Sequence, residues 1–146
     1  RAQIAAFAAA IADEGRGEAV HLVCNSESDA AVARRLADAA GGASVDVLVS
    51  NPPYIPSLAV DGLEPHIRGH EPRLALDGGP DGLDAYRALL LDAVMVLKPG
   101  GGLFLEIGDE QGAQVHGMLE EYGFTGVAVI KDYSGRDRFA VGTQSV

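Results

Sequence analysis

A chain of 146 residues is long enough for one domain with a real apolar core and short for two. A formal net charge of −10 would repel a phosphate backbone, and the lone cysteine, Cys24, supports neither an internal disulfide framework nor a thiolate zinc cluster. The longest apolar runs fall well short of the ~18 residues that cross a bilayer. No secretory signal is expected, because Arg1-Ala2-Gln3 leads into an amphipathic stretch, so a cytoplasmic globular protein is the expectation.

In chain order, Ile4, Phe7, Ala8 and Ile11 recur at helical spacing until Gly15 and Gly17, predicting a helix over 2–13. A short buried strand over 19–24 follows, then an alanine-rich helix over 28–40 that Gly41-Gly42 stops. Val45 to Ser50 reads as a buried strand, and the proline-rich stretch from Pro52 to Asp81 as a long loop over the strand ends. Leu83, Tyr86, Leu89, Leu90, Ala93, Val94 and Leu97 give a helix over 82–97, broken by Lys98-Pro99-Gly100-Gly101-Gly102 before a strand over 103–107. A helix over 109–122 closes at Gly123, and strands over 126–132 and 138–143 are joined as a hairpin through Tyr133 to Asp137. This alternation predicts an α/β domain with a mostly parallel sheet, helices on both faces and one antiparallel strand near the end.

The most informative motif is Asn51-Pro52-Pro53-Tyr54, directly after the strand at 45–50. Two prolines cannot continue a sheet ladder, so the chain leaves the sheet there and presents Asn51 in a rigid turn. In open α/β sheets ligands bind outside the carboxyl ends of strands, where this turn lies. The asparagine amide offers one acceptor and two donors to a planar substrate, and Tyr54 adds an aromatic face. A turn in which Asn51 merely satisfies the backbone is the alternative on these four residues alone.

Asn51-Pro52-Pro53-Tyr54-Ile55-Pro56, the run from Glu71 to Gly82 (Glu71-Pro72-Arg73-Leu74-Ala75-Leu76-Asp77-Gly78-Gly79-Pro80-Asp81-Gly82) and the closing Lys131-Asp132-Tyr133-Ser134-Gly135-Arg136-Asp137-Arg138 together resemble the HemK/PrmC family. Its members are protein-(glutamine-N5) methyltransferases that modify peptide-chain release factors. The likeness spans residues 1–142 and is strongest after Val45; Asn-Pro-Pro-Tyr by itself is shared with amino-methyltransferases of DNA and RNA. The resemblance implies a class I methyltransferase (Rossmann-like) fold and S-adenosylmethionine as methyl donor. It also implies that the Asn51 side-chain oxygen and the Pro52 carbonyl accept hydrogen bonds from the substrate NH2 group while Tyr54 packs against the substrate amide, giving Asn51, Pro52 and Tyr54 as catalytic residues. Pro53 and Glu71 join them as substrate-binding residues, with Glu71 bracing the loop or standing solvated. An amide nitrogen is a weak nucleophile, so alignment with the methyl group and acceptors aimed at its hydrogens are what such a site must supply.

The chain departs from that family where the cofactor binds. The glycine-rich turn after the family's first strand is missing, and Cys24 aligns where an acid holds the ribose; Cys24, Asn25, Glu27 and Asn51 are the candidate cofactor contacts. Only Ala43 and Ser44 stand where the third strand belongs. The family's sheet order 3-2-1-4-5-7-6 is therefore expected to lack strands 1 and 3, leaving strands 2 and 4 to pair directly, to bind a partner's strand or to leave open edges. Residues 1–146 accordingly read as a partial catalytic domain that binds S-adenosylmethionine poorly by itself. Two other functions remain open on the sequence: an amino-methyltransferase acting on adenine or guanine, disfavoured by the charge, and a cofactor-deficient pseudoenzyme or binding module. His66 and His70 have i, i+4 spacing, but Pro65 and Gly69 beside them and the lack of a third ligand favour a non-metallic loop. Glu106, at a strand exit, is read as an ordinary polar end residue or a site carboxylate.

Overall fold

The computed structural model describes residues 45–64 and 72–146 in full and residues 20–24 as backbone. The predicted helices over 2–13 and 28–40, the candidate residues Asn25, Glu27 and Glu71, the side chain of Cys24, and His66 and His70 lie outside the described residues.

Among the described residues five strands form one sheet in the order β1-β2-β3-β5-β4, with β1 at Val20–Cys24, β2 at Val45–Asn51, β3 at Leu97–Glu106, β4 at Phe124–Lys131 and β5 at Asp137–Gln144. β2 pairs in parallel with β1 and with β3, whereas β5 is antiparallel to both β3 and β4. Four strands therefore run one way and β5 alone runs against them, as the predicted closing hairpin requires. The pairing of β1 directly on β2 realises the first of the three outcomes expected for a sheet that lacks its central strand. Among the described residues three helices accompany the sheet: α1 at Ser57–Val60, α2 at Asp84–Val96 and α3 at Gly112–Glu121.

Side-chain alternation along the strands separates two faces. One carries Leu48, Leu103, Leu105 and Ile107, all fully buried against Tyr86, Leu90 and Ala93 of α2 and Val115 and Leu119 of α3. Ser50 lies on this same face, fully buried, and its hydroxyl has no hydrogen-bond partner among the described residues. The other face carries Val47 and Val49 with half-buried Phe104 and Phe139 packed on them. By the same alternation Asn51 and Glu106, at the carboxyl ends of adjacent β2 and β3, belong to the Val47 face.

Three predicted boundaries change. The stretch 52–81 is not plain loop, because Ser57–Val60 is helical, Arg73–Ala75 makes a single 3-10 turn and Ile55 bridges Asp77 in parallel. The Lys98–Gly102 segment does not separate α2 from its strand: β3 already begins at Leu97, and the step from Val45↔Leu97 to Val47↔Gly102 absorbs the extra residues as a bulge. Finally, α3 starts at Gly112 and not near Asp109, since Gly108 to Gln111 form a separate turn closed by the Gln111 amide donating to the Gly108 carbonyl at 3.1 Å.

Candidate active site

The proline turn at 51–54 begins where β2 ends. Pro52 and Pro53 remove two amide donors from the ladder, so pairing with β3 stops at Ser50↔Leu105 and the chain turns away with both prolines buried and Asn51 half-exposed. On the other side Cys24 is the register partner of Asn51, which brings the carboxyl ends of β1 and β2 together.

The segment from Leu76 to Gly82 runs alongside this turn and is bonded to it. The Ile55 amide donates to the Leu76 carbonyl at 3.0 Å, the Gly78 amide to the Ile55 carbonyl at 2.8 Å and the Ser57 amide to the Gly79 carbonyl at 2.8 Å. Two glycines make the approach possible. A β-carbon on Gly78 would lie 2.8 Å from the Pro53 carbonyl oxygen and 2.9 Å from the Tyr54 α-carbon, and one on Gly82 would strike the Tyr54 carbonyl. Gly82 also has φ +77°, a left-handed conformation that glycine adopts without strain.

Asp77 ties the outer part of this loop. Its Oδ1 accepts from the Ser57 hydroxyl at 2.6 Å and the Gly79 amide at 3.1 Å, while Oδ2 faces Arg73 Nε at 3.1 Å. The Ser57 hydroxyl, the Gly79 amide and Arg73 together hold its carboxyl below the ordinary range. Arg73 also reaches Asp61 at 2.6 Å. Further along, Asp81 accepts from the Leu83 amide at 3.0 Å and pairs with Arg87, whose guanidinium is the main reason its pKa lies at about 2. Asp81 thereby fixes the entry into α2.

Tyr54 is half-buried against the main core, and its hydroxyl lies among charges from three elements. Burial first, then the Glu106 carboxylate, push its pKa above the usual tyrosine value; the nearby Arg138 guanidinium pulls the other way. The hydroxyl is therefore neutral at physiological pH. Arg138 comes from β5 and lies 3.4 Å from Asp132, whose Oδ1 accepts the Ser134 and Arg136 amides and so shapes the hairpin turn. The closing segment of the chain thus reaches the motif at 51–54 through one guanidinium.

Gln111 was not singled out by its sequence context. It stands in a polar Gly108-Asp109-Glu110-Gln111-Gly112 run that reads as an ordinary helix start. It is nonetheless buried, and its side chain bonds the proline turn: Nε2 donates to the Tyr54 carbonyl at 3.0 Å. Glu106 contributes in a way the sequence left open, since its backbone carbonyl accepts the hydroxyl of fully buried Tyr86 at 3.0 Å. Burial raises the Tyr86 pKa strongly, so this hydroxyl remains a donor. No group of three or more His, Cys, Asp or Glu side chains among the described residues is arranged to hold a metal ion, and none of the described helices is long and apolar enough to cross a membrane.

No protein-family model matches the chain. It is 51% identical over 105 residues to the release factor glutamine methyltransferase of Caulobacter vibrioides, covering 72% of this chain and 36% of that protein. With the enzyme of the same name from Moorella thermoacetica it shares 55% identity over 98 residues, 66% of this chain and 34% of the relative. The chain thus spans about a third of the length of these curated relatives. Among solved structures, the release factor-specific protein-(glutamine-N5) methyltransferase of Alicyclobacillus acidocaldarius superposes with a TM-score of 0.57 at 30% identity, over 88% of this chain and 66% of that one. The sheet order, the proline turn at the end of β2 and these likenesses agree, and the chain belongs to the HemK/PrmC family of release factor glutamine methyltransferases.

Proposed function

We propose that residues 1–146 are part of the catalytic domain of an S-adenosylmethionine-dependent methyltransferase that modifies a glutamine side-chain nitrogen in a peptide-chain release factor. The observation that carries this reading is the acceptor turn: a half-exposed Asn51 at the end of β2, followed by buried prolines and braced on its far side by the segment 76–82.

A primary amide is flat, weakly nucleophilic and rich in hydrogen-bond donors. The Asn51 side-chain oxygen and the Pro52 carbonyl are two acceptors on consecutive residues of a turn that two prolines stiffen. They hold the substrate NH2 group by its hydrogens and stabilise positive charge as it develops on nitrogen. Tyr54, neutral and half-buried, bounds the substrate amide without competing as an anion. Fixing the nitrogen in one orientation removes most of the entropic cost of a bimolecular transfer.

By the family resemblance, S-adenosylmethionine lies at the carboxyl ends of β1 and β2. Paired at Cys24↔Asn51, the ends of β1 and β2 leave the half-exposed Asn51 beside the strand end where the family's cofactor lies, and Cys24, Asn25 and Glu27 are the residues proposed to meet its ribose. When bound, this cofactor supplies an electrophilic methyl group on a sulfonium centre.

The test is methyl transfer from labelled S-adenosylmethionine by the natural gene product that contains this chain, with a release factor, duplex DNA and RNA as competing acceptors. Label is expected on a glutamine of the release factor, and Asn51→Ala is expected to lower the rate by about 10²- to 10³-fold, as loss of one preorganised polar contact at a transition state does. Label in nucleic acid, or a rate insensitive to Asn51→Ala, would overturn the reading.

A further inference from the structure

The carboxamide of Gln111 makes four contacts, each with a group on another residue. Its Nε2 donates to the Tyr54 carbonyl at 3.0 Å and the Gly82 carbonyl at 3.1 Å; its Oε1 accepts from the Gly108 amide at 3.1 Å and lies 3.4 Å from the Tyr86 hydroxyl. A primary amide has two N–H donors and one carbonyl oxygen, so both donors and the acceptor are in use. The three backbone partners belong to three different loops: the one after β2, the one before α2 and the one after β3.

Gln111 occupies the N-cap position of α3, where a polar side chain ordinarily bonds the free amides of its own helix. Here it makes no such capping bond. The side chain turns away from α3 toward the loops, and Gly82 leaves room for it, since a β-carbon there would lie 2.8 Å from Nε2. A buried, fully satisfied amide in a region of low dielectric is a rigid joint, because moving any one loop leaves a desolvated donor or acceptor without a partner.

We propose that Gln111 is the positioning residue of the acceptor turn, setting where Asn51 and the Pro52 carbonyl stand relative to the β3 exit by holding Tyr54 from behind. This rests on the reading of residues 51–54 as the methyl-acceptor site. Its contacts are three backbone groups and the buried Tyr86 hydroxyl, so it acts on geometry and does not touch substrate.

Two variants of the natural protein test the assignment, Gln111→Met and Gln111→Glu. The first keeps length and removes every hydrogen bond; the second keeps a polar side chain of the same size and the acceptor toward Gly108 but loses both donors. In each, hydrogen exchange at the Ile55, Ser57 and Gly78 amides is expected to rise at least about tenfold while the amides of β3 and β5 stay as protected as in the parent. Transfer kcat is expected to fall about tenfold to a hundredfold, with KM for S-adenosylmethionine within about twofold, because an ångström of misplacement acts on alignment and not on cofactor affinity. Unchanged exchange at 55–57 and 78, a rise shared equally by β3 and β5, or an unaltered kcat would each overturn the proposal. A parent protein that transfers no methyl group to a release factor would sink the functional reading, while the exchange measurement still decides whether Gln111 joins the three loops.

Discussion

The two layers around β2 are held together by different physics. Beneath the sheet, Leu48, Leu90, Leu103, Leu105, Val115 and Leu119 are stabilised by apolar area removed from water and by close packing, which is strong but indifferent to a shift of a few tenths of an ångström. Beyond the strand ends, the segments 51–57 and 76–83 meet backbone to backbone, through short directional bonds and two glycines, with few large side chains between them. Area supplies stability; directional bonds supply position. Changes in the first layer should therefore appear in unfolding free energy, and changes in the second in the geometry of the turn.

The largest effect on stability should come from the apolar layer. Leu90→Ala removes a fully buried side chain of α2 and is expected to cost about 2–5 kcal/mol in urea unfolding. If the surviving folded fraction has also lost protection at 55–57, the two layers are less separable than described. Gly82→Ala should cost less overall, about 1–3 kcal/mol, from the strained φ and the collision with Tyr54. Its signature should be selective exposure of the acceptor turn in hydrogen exchange. Equal loosening of β3 would break the comparison.

Acid sharpens it further. The carboxyls of Asp77 and Asp81 both titrate below the ordinary value of 3.8, Asp81 at about 2. A group depressed on folding contributes stability that is present above its unfolded value and is lost as pH falls through its folded one. Between pH 4 and 2, protection of the Ser57 and Leu83 amides should fall ahead of that of β3 and β5. The smallest effect is expected at Ser50. Ser50→Ala deletes a buried hydroxyl without a partner among the described residues, so unfolding free energy should stay the same or rise by up to about 1 kcal/mol; a loss above that would mean the hydroxyl is bonded.

Much of this architecture could be read from the chain. The buried run at 45–50 followed by two prolines dictated a strand that stops, and strands at 126–132 and 138–143 separated by Ser134-Gly135 dictated a hairpin. Less legible was anything that depends on contacts between distant segments. The role of Asp77 as a tie depends on Ser57 and Gly79 being brought to it, and that of Gln111 on the Tyr54 and Gly82 carbonyls of two other loops. The bulge at Lys98–Gly101 escaped notice for a related reason: a Pro-Gly-Gly run normally ends an element, and only pairing with β2 keeps this one inside a strand.

The strand order β3-β5-β4 has a consequence for how the chain is made. β5 is inserted between strands that precede it, so the edge of β3 turned away from β2 stays open until residues 137–144 have been synthesised. An unpaired edge of that kind invites pairing with a neighbouring chain. Arg138 is carried by β5, so Tyr54 gains its guanidinium neighbour only when β5 pairs with β3. Closing this edge of β3 and placing the guanidinium beside Tyr54 are therefore one event.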